Sequence, residues 1–404
     1  LVITLAALAW IIRTLDNLLL PRVIELFVPG LDTPPQAPPL VGAIFTFAVI
    51  LLAGVIVRHF FGHELVRMWE RALGKGADGK GLTLVASLDG ATLYAAHVDG
   101  QVEALASSSG ASQWRRDLKV EIGGGPGVGD RLVILGTTEG EVIALNQSTG
   151  DEVWRARVST DIPAVPVSAR GVVVVHTNDG RLYGLDAASG EQLWQFHRAA
   201  PVLSLRGASS PVIEGGSLYA GLDGGKLVKL DLLSGRPDWE TPIAYASGRT
   251  ELDRVVDIDG LLVLGKSSVY VATYQGDMAA VNKADGKVLW RTAYSSYQGV
   301  ISDGRTLYAS DANGYVAAVD PGSGEILWRQ KALSGRRLSP PVMAGGLIAV
   351  ADLEGYVHWL SPEDGAIVAR VEAVSSAVRA PLVAQGVTVY AYGDEGELAA
   401  VTAQ

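Results

Sequence analysis

At 404 residues the chain is long enough for two or more domains, and 48% apolar against 19% charged residues is an apolar-rich balance for a purely soluble protein. It contains no cysteine, which excludes a disulfide framework, thiolate metal sites and cysteine nucleophiles. A formal net charge of −10 argues against nucleic-acid binding by phosphate neutralisation, which needs a basic surface.

Residues 1–64 stand apart from the rest of the chain. Leu40 to Val57 (LVGAIFTFAVILLAGVIV) is an uncharged apolar run, close to the roughly 20 residues a helix needs to cross about 30 Å of hydrocarbon. Leu1 to Ile12 reads as the tail of another span, with Arg13 and Asp16 at its boundary. Between them, Pro21 to Pro39 includes a proline-rich connector that is extended or turned. The expectation is a transmembrane helical hairpin over residues 1–64, its second span at about 40–57. His59 and His63 share one helix face by their i, i+4 spacing, and mark the polar interfacial end of that helix rather than a metal pair. Arg58, Arg67, Arg71 and Lys75 follow closely, a positive-inside bias that would put the rest of the chain in the cytoplasm.

From about residue 65 a single pattern recurs, clearest in Gly171 to Trp194 (GVVVVHTNDGRLYGLDAASGEQLW). Val172 to Val175 form a strand that leads into Asn178-Asp179-Gly180, a turn in which glycine accepts positive φ without steric cost. Leu182 to Leu185 run back as a second strand, Asp186 and Gly190 frame another turn, and Leu193-Trp194 opens a third strand. The glycine and the strand after it recur at Gly100, Gly140, Gly180, Gly225, Gly276, Gly314, Gly355 and Gly396. A Gly-x-x-x-Trp ending recurs at Gly110/Trp114, Gly150/Trp154, Gly190/Trp194, Gly235/Trp239, Gly286/Trp290 and Gly324/Trp328, with Gly365/Ala369 as a copy lacking the indole.

A unit of this size presents an apolar face that it cannot bury alone. Eight copies at a period near 40 residues predict an all-β fold over residues 65–404, an eight-bladed β-propeller. The last copy, from Ala380 through Gly396 to Val401, has no Trp-bearing outer strand. Val66 to Leu73 has that strand's form, so Trp69 is expected to complete the last blade and close the ring, removing two exposed sheet edges.

Candidate chemistry inside the repeats is sparse. The histidines His97, His176, His197 and His358 are expected to fall in different blades. Gly123 to Gly129 (GGGPGVG) resembles a phosphate loop in composition but precedes a strand where such a loop should open a helix, so it reads as a loop entering a blade. The Asp-Gly and Glu-Gly pairs are turn chemistry. The periodic tryptophans are expected to pack between blades, each burying roughly 150–250 Å².

Two stretches break the repeat. Ala200 to Pro211 places Leu203 and Leu205 beside Arg206 in a connection between blades, the composition of a binding hot spot, although leucines tucked into the blade would give the same residue types. Gly248 to Asp259 lengthens the connection after Trp239 and carries Glu251, Asp253, Asp257 and Asp259, which can pair with basic groups of a partner or stand as a solvated acidic loop. The Asp-x-Asp lacks the glycine and terminal Glu of a calcium loop.

Residues 1 to about 70, with LVITLAALAWIIRTLD and LLAGVIVRHFFGHELVRMWERAL, resemble a family of short two-span bacterial membrane proteins. From about Val66 onward, WERALGKG, LSLRG before a Ser-Pro strand, and TELDRVVDID some 45 residues later resemble the BamB family of outer-membrane protein assembly factors. That resemblance implies a non-enzymatic scaffold at the periplasmic face of the outer membrane, docked on the POTRA domains of BamA within the barrel assembly complex, with nascent outer-membrane proteins nearby. It implies that Leu203, Leu205, Arg206, Asp257 and Asp259 bind the partner and that no cofactor is used. The family's lipidated cysteine has no counterpart here, so the N-terminal hairpin would be the tether. The repeats are also shared with quinoprotein dehydrogenases, which would make the chain a membrane-anchored enzyme using pyrroloquinoline quinone (PQQ), but the adjacent cysteine pair of those enzymes is missing. A membrane-tethered propeller sensor is the third reading.

Overall fold

The computed structural model describes residues 65–77, 82, 84–198, 209–245 and 255–403. The expected membrane hairpin of residues 1–64 lies outside them, and among the described residues no helix is long and apolar enough to cross a membrane. Within the described residues thirty-two strands, β1–β32 in chain order, form eight four-stranded antiparallel sheets. These are the eight blades of a propeller.

Local chemistry builds each blade. In blade 3, β10 (Val167–Ala169), β11 (Val172–His176), β12 (Arg181–Asp186) and β13 (Gln192–His197) lie in sequential order, so His176 and His197, expected in different blades, close two strands of the same one. The turn between β11 and β12 uses Gly180 at φ 73°, and that between β12 and β13 uses Gly190 at φ 76°. Asp186 holds the second turn by accepting the N–H groups of Ala188 (3.0 Å) and Ser189 (2.8 Å). Alternate residues of the inner strands face the two neighbouring blades and are buried on both sides, which is why β11 is valine from Val172 to Val175 before it ends at His176.

The tryptophans join the blades. Trp69, Trp114, Trp154, Trp194, Trp239, Trp290 and Trp328 each donate Nε1–H to a backbone carbonyl of the following blade, at 2.8–3.1 Å. Their acceptors, from Ser107 to Pro362, lie in the turn after that blade's third strand. In the same turn the indole covers a glycine: a Cβ at Gly110, Gly150, Gly190, Gly235, Gly286, Gly324 or Gly365 would fall 2.5–2.7 Å from it. Gly-x-x-x-Trp thus pairs each glycine with the tryptophan of the preceding blade, not with the one in its own motif.

Blade 7 shows the rule by its exception. Ala369, on β29 (Ile367–Glu372), stands where the indole is missing, and its cross-strand partner is Trp359 on β28 (Tyr356–Leu360). In the other blades the residue opposite the tryptophan is small or, once, lysine: Ala104, Ala144, Gly184, Lys229, Ala280, Ala318 or Ala400. The large and small members have changed places, and Trp359 is fully buried against blade 8. The cause lies in blade 8, formed by β30 (Val383–Gln385), β31 (Thr388–Tyr392), β32 (Glu397–Ala403) and β1 (Leu65–Ala72). Its third and fourth strands come from distant parts of the chain, so they are not joined by the turn that carries the glycine cradle for the indole in the other blades. In β1, Leu65 pairs with Ala403 and Ala72 with Glu397.

Gly123 to Gly129 is corrected from a loop to a strand, β6 (Ile122–Gly129), the first of blade 2. The glycines make room for backbone: a Cβ on Gly124 would meet the Ile162 carbonyl at 2.5 Å, on Gly127 the Pro166 carbonyl at 1.8 Å, and on Gly129 the Ser168 carbonyl at 2.3 Å. Blade 3 therefore approaches β6 main chain to main chain. Gly127→Ala is expected to destabilise the propeller by about 1–3 kcal/mol or more, whereas Gly216→Ala, whose Cβ meets only the tip of Arg170, costs well under 1 kcal/mol. Thermal melting of the two variants checks this, and similar melting temperatures would contradict it.

Candidate partner-binding site

The two connections that interrupt the repeat flank blade 4, whose strands are β14 (Val212–Glu214), β15 (Ser217–Leu222), β16 (Lys226–Asp231) and β17 (Pro237–Pro242). One runs from β13 to β14, the other from β17 to β18 (Val263–Leu264). Leu203, Leu205 and Arg206 lie outside the described residues; the ends of both connections lie within them.

Those ends meet. Ser209, fully buried, donates its hydroxyl to the Gly260 carbonyl (3.3 Å), and its own carbonyl accepts Nδ1–H of His176 (3.0 Å). Burial pushes the His176 pKa down, so the ring stays neutral and that bond persists as a neutral one. Ser210 fixes the same end by accepting the N–H of Val165 at 3.1 Å. At the other root, Arg198 and Lys226 both reach Glu240, at 2.6 and 2.9 Å, tying blade 3 to blade 4. Arg198 also stacks over Phe196 at 4.7 Å.

The acidic stretch is not a freely solvated loop over its described part. Val255, Val256, Ile258 and Leu262 are buried, and Ile258 covers Gly221, where a Cβ would fall 2.2 Å away. Asp257 is 1% exposed, and its carboxylate accepts the Gly224 N–H at 3.0 Å, in the β15–β16 turn of blade 4. Its carbonyl accepts Tyr274 N–H at 2.9 Å. Asp259 is half-buried; burial first, then the nearby Asp257 and Asp223, push its carboxyl up to about 7. The two carboxylates therefore differ in kind. Asp257 fixes the loop to blade 4, while Asp259 would gain stability from a cation brought against it.

Tyr245, at the start of the second connection, was not singled out from the sequence and is 70% exposed. Its neighbours Ile243 and Ala244 bond to Gly225 in the same turn that Asp257 holds. Residue type alone could not have flagged it, because Tyr219 and Tyr308 are buried. Among the described residues no group of three or more His, Asp and Glu side chains is placed to hold a metal ion.

A family model described as outer membrane protein assembly factor BamB matches residues 98–330 and 312–404. The outer membrane protein assembly factor BamB of Pseudomonas aeruginosa is 44% identical over 344 residues, covering 85% of this chain and 90% of that protein. The crystal structure of BamB from Moraxella catarrhalis superposes with a TM-score of 0.76 at 27% identity, over 84% of this chain and all of the other. The quinohemoprotein alcohol dehydrogenase of Comamonas testosteroni superposes with a TM-score of 0.66 at 12% identity, over 85% of this chain and 77% of the other, a likeness of fold alone.

The raised Asp259 carboxyl carries a stability signature. The folded state keeps its proton where an unfolded aspartate has lost it, so this contribution is full below the ordinary carboxylate range and is lost as pH rises through about 7. Asp259→Asn removes the loss, so its melting temperature should gain on the parent between about pH 4 and about pH 8. A constant offset across that range would contradict the assignment.

Proposed function

Because the chain belongs to the family of the outer membrane protein assembly factor BamB, an assembly factor rather than an enzyme, we propose that it is a scaffold of the outer-membrane β-barrel assembly machinery that docks on the POTRA domains of BamA. It works at the periplasmic face of the outer membrane. The observation that carries the reading is the convergence of the two non-repeat connections at blade 4, where Ser209 of one bonds to Gly260 of the other. The described roots of the two connections thereby come together at blade 4.

On the proposed docking surface Leu203 and Leu205 are the apolar anchors and Arg206 the donor, with Asp259 on the neighbouring loop offering charge complementarity. Asp257 acts one step back, holding the acidic loop against the Gly224 turn. Tyr245 adds an exposed aromatic of the kind enriched in hot spots. Family membership supports a place in outer-membrane protein assembly.

Truncating Leu203 and Arg206 together should remove an anchor of about 2 kcal/mol or more and weaken capture of purified BamA POTRA domains by roughly 30-fold or more. Binding measured by biolayer interferometry at the parent affinity would sink the docking surface. Adding PQQ and Ca²⁺ should leave the absorbance and the melting temperature unchanged; a shift would favour a quinoprotein enzyme. Cleavage of the propeller by protease in spheroplasts, as opposed to intact cells, checks the periplasmic side.

A further inference from the structure

The seam of the wheel, where blade 8 meets blade 1, is threaded by residues 73–77, which follow β1. Leu73 N–H donates to Gly396 O and Ala77 N–H to Asp394 O, both at 2.9 Å, on the blade 8 side. On the blade 1 side, Val98 N–H donates to Gly76 O at 3.0 Å. The fit is tight: a Cβ on Gly76 would meet the Asp394 carbonyl at 2.3 Å, and one on Gly396 would meet Gly74 O at 2.4 Å.

His97 of blade 1 fills the remaining space. Its ring is fully buried and lies against Gly74, where a Cβ would fall 3.1 Å from Nδ1. The same Nδ1 accepts Gly76 N–H at 3.3 Å and stands 3.2 Å from the Tyr392 hydroxyl of blade 8. That hydroxyl donates to Ala96 O at 2.9 Å. Since a main-chain N–H points at Nδ1, this nitrogen must carry its lone pair, and the proton of the neutral ring is on Nε2. Nε2 is buried and has no hydrogen-bond partner among the described residues.

We infer that His97 is an acid-sensitive latch of the ring: protonation of Nδ1 turns the Gly76 contact from donor–acceptor into donor–donor and releases residues 65–77 from the seam. The Tyr392 oxygen can accept the new proton, but Gly76 N–H then loses its acceptor inside the seam, and a buried cation has been created.

The charges around the ring are mixed. Asp99 and Glu103 of blade 1 favour the cation, while Arg115, which pairs with Glu103 at 2.8 Å, opposes it. Burial outweighs them and lowers the His97 pKa to about 4. From blade 8, Asp394 pairs with Arg379 at 3.1 Å, beside Glu395; burial raises the Asp394 carboxyl, so its protonation in acid works against opening. Lys75 belongs to the threaded segment itself. With the folded pKa depressed, the stability from neutral His97 is present above the ordinary histidine value and is lost as pH falls through about 4.

Hydrogen exchange followed by mass spectrometry on the full chain, corrected for intrinsic rates, tests the latch. Between the ordinary histidine value and about pH 4, protection of residues 65–77 and 397–403 should fall relative to blade 5 by up to about tenfold per pH unit, and it should level off below that. In His97→Asn, whose amide oxygen can accept Gly76 N–H but does not titrate, seam protection should no longer fall relative to blade 5 between the ordinary histidine value and about pH 4, and the titration left at the seam, that of Asp394, acts in the opposite direction. Equal acid sensitivity in both proteins, or seam and blade 5 failing together in the parent, would overturn the inference. If the variant does not fold, NMR titration of the parent decides: a depressed His97 midpoint, with seam protection falling from the ordinary histidine value down to that midpoint, supports the latch, and a midpoint at the ordinary histidine value, or seam protection that does not change over that range, refutes it.

Discussion

Everything in this wheel depends on one repeated contact, an indole from one blade laid over a glycine in the next. The contact does two things at once. Burying most of a tryptophan is worth several kcal/mol, roughly 4–6 by area as an upper figure, and the Nε1–H bond to the adjoining carbonyl fixes the angle at which the blades meet. The glycine is required twice over, by its left-handed φ and by the 2.5–2.7 Å that a Cβ would have from the ring. Because the donor and the cradle belong to different blades, no blade is complete alone, and stability is a property of neighbours.

That dependence explains which features were readable along the chain. Turn glycines, alternating aliphatics and Gly-x-x-x-Trp are local requirements repeated at a fixed period, so the eight-bladed architecture was legible without coordinates. The run from Gly123 to Gly129 was misread as a loop because its glycines answer the backbone of residues 162–168, a demand that no local pattern records. Ala369 looked like a copy that had lost its indole. Its replacement, Trp359, faces it across the strand pair and could be recognised only once blade 8 was seen to lack the turn that receives such a ring.

The candidate site divides along the same line. Departures from the repeat drew attention to the two connections around blade 4, since leucines, an arginine and clustered acids are unusual there. The difference between Asp257 and Asp259 was not legible. It arises from a hydrogen bond to Gly224, 33 residues away in sequence, which holds one fully buried carboxylate, while the other is half-buried beside it. Tyr245 was hidden for a related reason, as tyrosines elsewhere in the propeller serve the core.

Blade 8, made from both ends of the propeller sequence, has a mechanical consequence. The chain enters the wheel at Leu65 on the rim of that blade, and blade 4 is four steps away around a circle of eight. Leu65 and blade 4 therefore stand at opposite ends of a diameter. A force applied at Leu65 would reach blade 4 by both halves of the circle at once, passing from blade to blade through the packed faces rather than along the chain.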